Sequence, residues 1–131
     1  MGYIMLTTDQ ETQIIKSICE TCGIGVVDAL SKSRKEELVS CRMVIALCFR
    51  NVFGYTFQQI EKLIGLGYSS INQTMRNFSN SLEFNPYWRT RYEVSKFNCE
   101  VISEANSESD LWFEVGKHVA QHTFNSIKTS E

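Results

Sequence analysis

Residues 56–78, TFQQIEKLIGLGYSSINQTMRNF, constrain the chain more than any other stretch, because they spell two short helices around a pair of glycines. Thr56 with Gln59 three positions on is a capping box, in which each side chain satisfies a backbone N–H that the start of a helix leaves unpaired. Phe57, Ile60 and Ile64 then recur at helical spacing. Gly65 and Gly67 stop that helix, since glycine takes positive φ without steric cost. Ser69 is the expected cap of a second helix, with Ile71, Met75 and Phe78 on one face and Ser69, Gln73 and Arg76 on the other. This is the grammar of a helix-turn-helix, whose second helix offers amides and hydroxyls to base edges in a major groove. The alternative is a helical hairpin that only packs.

The flanking sequence continues in helices. Thr8 with Glu11 spells another capping box, opening a helix with Ile14, Ile15, Ile18 and Cys22 along one stripe and Gly23 at its end. A short apolar segment, 24–30, precedes the charge run SKSRKEE at 31–37. Leu38, Cys41, Ile45, Cys48 and Val52 follow steps of three and four, so a long amphipathic helix is expected over about 38–53. Arg42 and Arg50 lie on a shared flank of it in this reading, roughly 12 Å apart along the axis. Residues 80–85 read as a turn, and Pro86 suits the first turn of a helix capped by Asn85. That helix carries Tyr87, Trp88, Tyr92, Val94, Phe97, Val101 and Ile102, and Ser107 with Asp110 starts a last one. The expected organisation is a helix-turn-helix domain over 8–80 and a C-terminal helical pair over 81–131.

Composition narrows the function classes. The chain has 131 residues and a formal charge of −2, so there is no global basic signature. Residues 1–80 hold eight Lys/Arg against seven Asp/Glu, and 81–131 hold five against eight, so attraction to a polyanion must come from locally placed arginines. The longest uninterrupted apolar run, 43–49, is too short to span a bilayer, and a cytoplasmic protein with no membrane partner is expected. Five cysteines without a regular framework fit a reducing compartment. Cys19 and Cys22 form a C-x-x-C without a second pair to complete a metal site, and His118 and His122 at i, i+4 lack the H-E-x-x-H glutamate. No metal and no cofactor are expected, and no nucleophile, base or carboxylate cluster has the spacing of an enzyme.

The order IIKSICETCGIGVVDALSKSRK, then SCRMVIALCFR, then TFQQIEKLIG and GYSSINQTMR resembles, segment by segment, the C-terminal DNA-binding domain of the bacterial chromosomal replication initiator DnaA. The likeness runs over about residues 10–80. It implies an all-α helix-turn-helix bundle of the Trp-repressor-like type, here with a two-helix extension, and double-stranded DNA as partner. By this resemblance Arg34 enters a minor groove, Arg42 and Arg50 hold phosphates, and Phe57 and Gln58 touch the backbone at the start of the motif. Tyr68, Ser69, Ser70 and Gln73 fall on the base-reading segment.

The departures are equally specific. Where the family has an Asp-His pair opening its recognition helix, this chain has Gly67 and Tyr68, and two basic positions of the charged box are Glu36 and Ser40. A kept mode of docking with an altered DNA sequence is therefore expected. No phosphate-binding G-x-x-x-x-G-K-[ST] loop occurs, so no nucleotide is expected and the chain reads as a free-standing module, by analogy regulatory or replication-associated in a phage or mobile element. The alternative is an interaction or structural protein that keeps the fold without gripping DNA. The aromatic content of 84–127 suggests either self-association into a homo-oligomer or simple core packing.

Overall fold

The structure, a computed structural model, describes residues 6–65 and 70–105. Six α-helices and one 3-10 turn occur among the described residues: α1 Thr8–Cys22, α2 Val26–Ala29, α3 Glu36–Asn51, α4 Phe57–Ile64, α5 Ile71–Ser81, the 3-10 turn Leu82–Phe84, and α6 Pro86–Ala105. The fold is an all-α bundle. None of these helices is long and apolar enough to cross a membrane.

α3 is the axis, and every other α-helix packs against it. The expected amphipathic helix is instead buried on all sides from Ser40 to Phe49. That is why residues 43–49 are apolar without interruption: a helix surrounded by others has no solvent face to leave polar. The stripes of α1 (Ile14, Ile18), α4 (Ile60, Ile64) and α5 (Ile71, Met75) close around it in one hydrophobic cluster.

Local chemistry sets the ends of the helices. At Thr56 the expected box forms, with Gln59 N–H donating to Thr56 Oγ1 at 3.1 Å and Thr56 N–H donating to Gln59 Oε1 at 2.8 Å. At α1 the box sits one residue earlier than expected, on Thr7 and Gln10. The pair Thr8 and Glu11 has the same spacing, but Glu11 accepts a hydrogen bond from the Tyr55 hydroxyl, which ties α1 to the turn before α4. Gly23 and Gly65 take left-handed φ of 72° and 69° and end α1 and α4.

Two further boundaries differ from the sequence reading. α5 is capped by Ser70, without a side-chain cap bond, and Ser69 lies outside the described residues. The stretch expected to turn at 80–85 stays helical through Ser81 and tightens to 3-10 geometry, because Leu82 is buried there. Asn85 does cap α6, its Oδ1 accepting from Trp88 N–H at 3.3 Å.

α6 lies across α1 and α3. Its inward stripe is Trp88, Ser95, Cys99 and Ile102, with Tyr92 partly buried, whereas Tyr87 and Phe97 are 55% and 52% exposed and stand off the stripe. The aromatic count thus overstates how much of α6 is core. The second helix of the expected C-terminal pair, with His118 and His122, lies outside the described residues.

Candidate nucleic-acid interface

The loop joining α2 to α3, residues 31–35, carries Lys32, Arg34 and Lys35, all exposed. Its shape is imposed from beneath. Arg42 Nη1 donates to the carbonyls of Ala29 at 3.0 Å and Ser31 at 2.8 Å, and Nη2 donates to the carbonyl of Ser33. Serine turns complete the loop: Ser31 Oγ donates to Asp28 O at 2.7 Å, and Lys35 N–H donates to Ser33 Oγ at 3.3 Å. A fork of donors on a rigid plane is what can gather three carbonyls at once.

The expectation that Arg42 holds a phosphate fails on this geometry, because the residue is 1% exposed and its guanidinium is committed to the loop backbone. Eight residues along an α-helix turn through about 80° beyond two full turns, so Arg42 and Arg50 do not share a flank. Arg50 is exposed at the last turn of α3. Its Nη1 donates to the Tyr55 carbonyl at 2.9 Å, and the guanidinium lies 4.3 Å above the Phe57 ring. Phe57 therefore serves as a platform for Arg50, and the stacking leaves other N–H groups of the fork open.

Gln58 is exposed in the first turn of α4. The backbone N–H groups there have no intrahelical acceptor, and the helix dipole favours an anion at that end. On α5, Ser70 and Gln73 are exposed, and Gln73 Nε2 donates to Asn77 Oδ1 at 2.9 Å, which holds the amide in one orientation. Tyr68 and Ser69 lie outside the described residues.

Two residues outside the expected set complete this face. Asn72 and Arg76 of α5 line, with Arg50 and Phe57, an open cleft of about 190 Å³ between α3 and α5. The signal was the four-residue step Asn72, Arg76, Asn80, which places three polar side chains along one flank of a helix. No carboxylate is among the residues lining that cleft. Glu36 and Glu37 line a different one, of about 460 Å³, with Asn85, Tyr87 and Trp88. In the first turn of α3 they also complement its dipole.

The helix pair α4 and α5, packed on a buried α3 behind a stapled basic loop, invites comparison with known chains. Over 66 residues this one is 27% identical to the chromosomal replication initiator protein DnaA of Pseudothermotoga lettingae. The match covers 50% of this chain and 15% of the initiator's length. No family model matches the chain, and no solved structure matches it.

The thiols belong to the interior. All five cysteines are free and buried. Hydrogen bonding to Cys41 and burial push the Cys19 thiol far up, and burial together with Cys99 does the same for Cys48. Such thiols stay protonated and inert. Among the described residues no group of three or more His, Cys, Asp or Glu is placed to hold a metal ion.

Proposed function

We propose that this chain binds double-stranded DNA without catalysing a reaction on it, laying α5 against a major groove and the 31–35 loop against the neighbouring minor groove. The observation that carries this reading is the outward face of α5. Ser70, Asn72, Gln73, Arg76, Asn77 and Asn80 are all exposed, and the helix contains no Asp or Glu. A face of amides, hydroxyls and one guanidinium without a carboxylate suits base edges flanked by phosphates.

Spacing supports it. Arg34 and Arg50 stand at opposite ends of α3, whose 16 residues span about 24 Å. Adjacent grooves of B-DNA are half a helical turn apart, about 17 Å, so a span of this size lets Arg34 enter a minor groove while Arg50 meets the backbone beside the neighbouring major groove. Similarity to an initiator protein over half the chain adds to the same side. Base reading falls to Ser70 and Gln73 together with Tyr68 and Ser69, and Arg34 and Arg50 supply ionic contacts, with Phe57 and Gln58 at the backbone.

Fluorescence anisotropy with a random pool of labelled duplexes, at low and physiological salt, tests the proposal on the wild type and Arg34→Ala. Selective retention of some duplexes, weakened in the variant, is the expected result. Absence of binding at low salt overturns it. The second reading, a protein-interaction module, draws on Phe84 and Tyr87, which are 82% and 55% exposed around the start of α6, and that negative result would favour it.

A further inference from the structure

We infer that the cleft between α3 and α5 is a seat for one backbone phosphodiester, gripped jointly by Arg50 and Arg76. The inference rests on the DNA-binding reading and adds to it a contact outside the set that the family resemblance implies. Two exposed arginines line the same cleft of about 190 Å³, and none of its lining residues carries a carboxylate. Two cations lining one cleft repel each other, and an anion between them turns that repulsion into attraction.

One of the two is already fixed. The Tyr55 carbonyl and the Phe57 ring hold the plane of Arg50, so little conformational freedom is lost when its remaining N–H groups take an oxygen. Arg76 approaches from α5, and Asn72 and Asn80 on the same flank add neutral donors. Leu47 and Met75 supply an apolar wall. A lining that combines charge and amide donors with apolar side chains matches a phosphate with its attached deoxyribose better than a free anion. The seat would anchor α5 along its flank and leave the first turn to face the bases.

The test measures duplex affinity against salt for the wild type, Arg50→Gln, Arg76→Gln and the double variant, using a fluorescein-labelled duplex selected from the random pool. Arg76→Gln is expected to weaken binding roughly tenfold. The loss should be uniform across duplexes, and the salt slope should become shallower by about 0.9. If both arginines hold one phosphate, the double variant loses much less than the product of the single losses. A neutral methylphosphonate at one backbone position should mimic the loss in the wild type and have no further effect in either variant. Circular dichroism and urea midpoints matching the wild type would show that Arg76→Gln is folded.

Arg76→Gln binding with the affinity and slope of the wild type overturns the seat while leaving the DNA reading intact. Losses that multiply in the double variant assign the two arginines to separate phosphates and overturn the shared seat. A wild type that binds no duplex at low salt removes both readings together.

Discussion

Replacing Arg42 with methionine keeps most of the buried stem and removes the fork that holds the 31–35 loop. Three carbonyls lose their donor: Ala29, which is buried, and Ser31 and Ser33, which are partly so. An unsatisfied buried acceptor costs about 1–3 kcal/mol, and the two nearer the surface recover part of that from water. The total should be about 3–5 kcal/mol, a large share of the stability of a domain this size. In urea, with a slope near 2 kcal/mol per molar, the midpoint should fall by about 2 M, followed by the far-ultraviolet circular dichroism of the helices. Arg42→Lys should recover less than half of this, because a single ammonium cannot span three carbonyls. Arg34→Met, on the exposed side of the same loop, should leave the midpoint unchanged. A shift below about 0.5 M for Arg42→Met, equivalent to roughly 1 kcal/mol, would refute the staple.

Thr56→Ala removes one half of the α4 capping box and should cost about 0.5–2 kcal/mol, read as a lower urea midpoint, with Thr56→Ser close to neutral. Folded protein should show almost no fast reaction with a thiol reagent at pH 8 and full reaction of its five cysteines in denaturant. Because the Cys19, Cys41 and Cys48 thiols are raised above the ordinary value of 9.0, the unfolded chain releases those protons first; their contribution is intact below about pH 9 and is lost as pH rises above it, which a urea series from pH 7 to pH 10.5 measures. Asn98 is 2% exposed with both amide atoms unpartnered, so Asn98→Leu should be neutral or stabilise by up to about 1 kcal/mol, read as a higher urea midpoint. Gln73 presents one oxygen and one remaining N–H, the complement of adenine, and Gln73→Leu should narrow the affinity difference between the preferred duplex and one with its adenine replaced, by about 1–3 kcal/mol.

Where a structural cue was local, it could be read from the chain. The Thr56 box, the glycine stops at Gly23 and Gly65, and the Asn85 cap before Pro86 all depend on residues within three or four positions of one another. Tandem residues defeated the same reasoning. Thr7 and Thr8 both fit a box, and Ser69 and Ser70 both fit a cap, so spacing alone leaves a tie. At α1 a distant group, the Tyr55 hydroxyl on Glu11, occupies one alternative. Arg42 differs because a charge in the sequence marks the surface only where the residues around it leave a polar face. Its neighbours Cys41 and Met43 to Phe49 form a run with no polar break, the signature of a helix buried all round, and a charge inside such a run must be satisfied by backbone. For the candidate face, Arg50 could be read from sequence as an exposed cation, but its stacking on Phe57 and its cleft shared with Arg76 required the crossing of α3, α4 and α5.

Burial of α3 fixes the spacing of the groups at its two ends. A helix packed on every side from Ser40 to Phe49 cannot bend or slide without disturbing the whole cluster. Its two ends carry the groups that would meet the backbone and the minor groove: the loop held by Arg42 at one end, and Arg50 on its aromatic platform at the other. The distance between them is therefore set by core packing and not by any residue that faces bases. A change at an exposed position of α5 such as Gln73 leaves that distance alone. On the proposed reading, docking and base choice are separable. The interior conserves the spacing of the grip, and the first turn of α5 is free to change what is read.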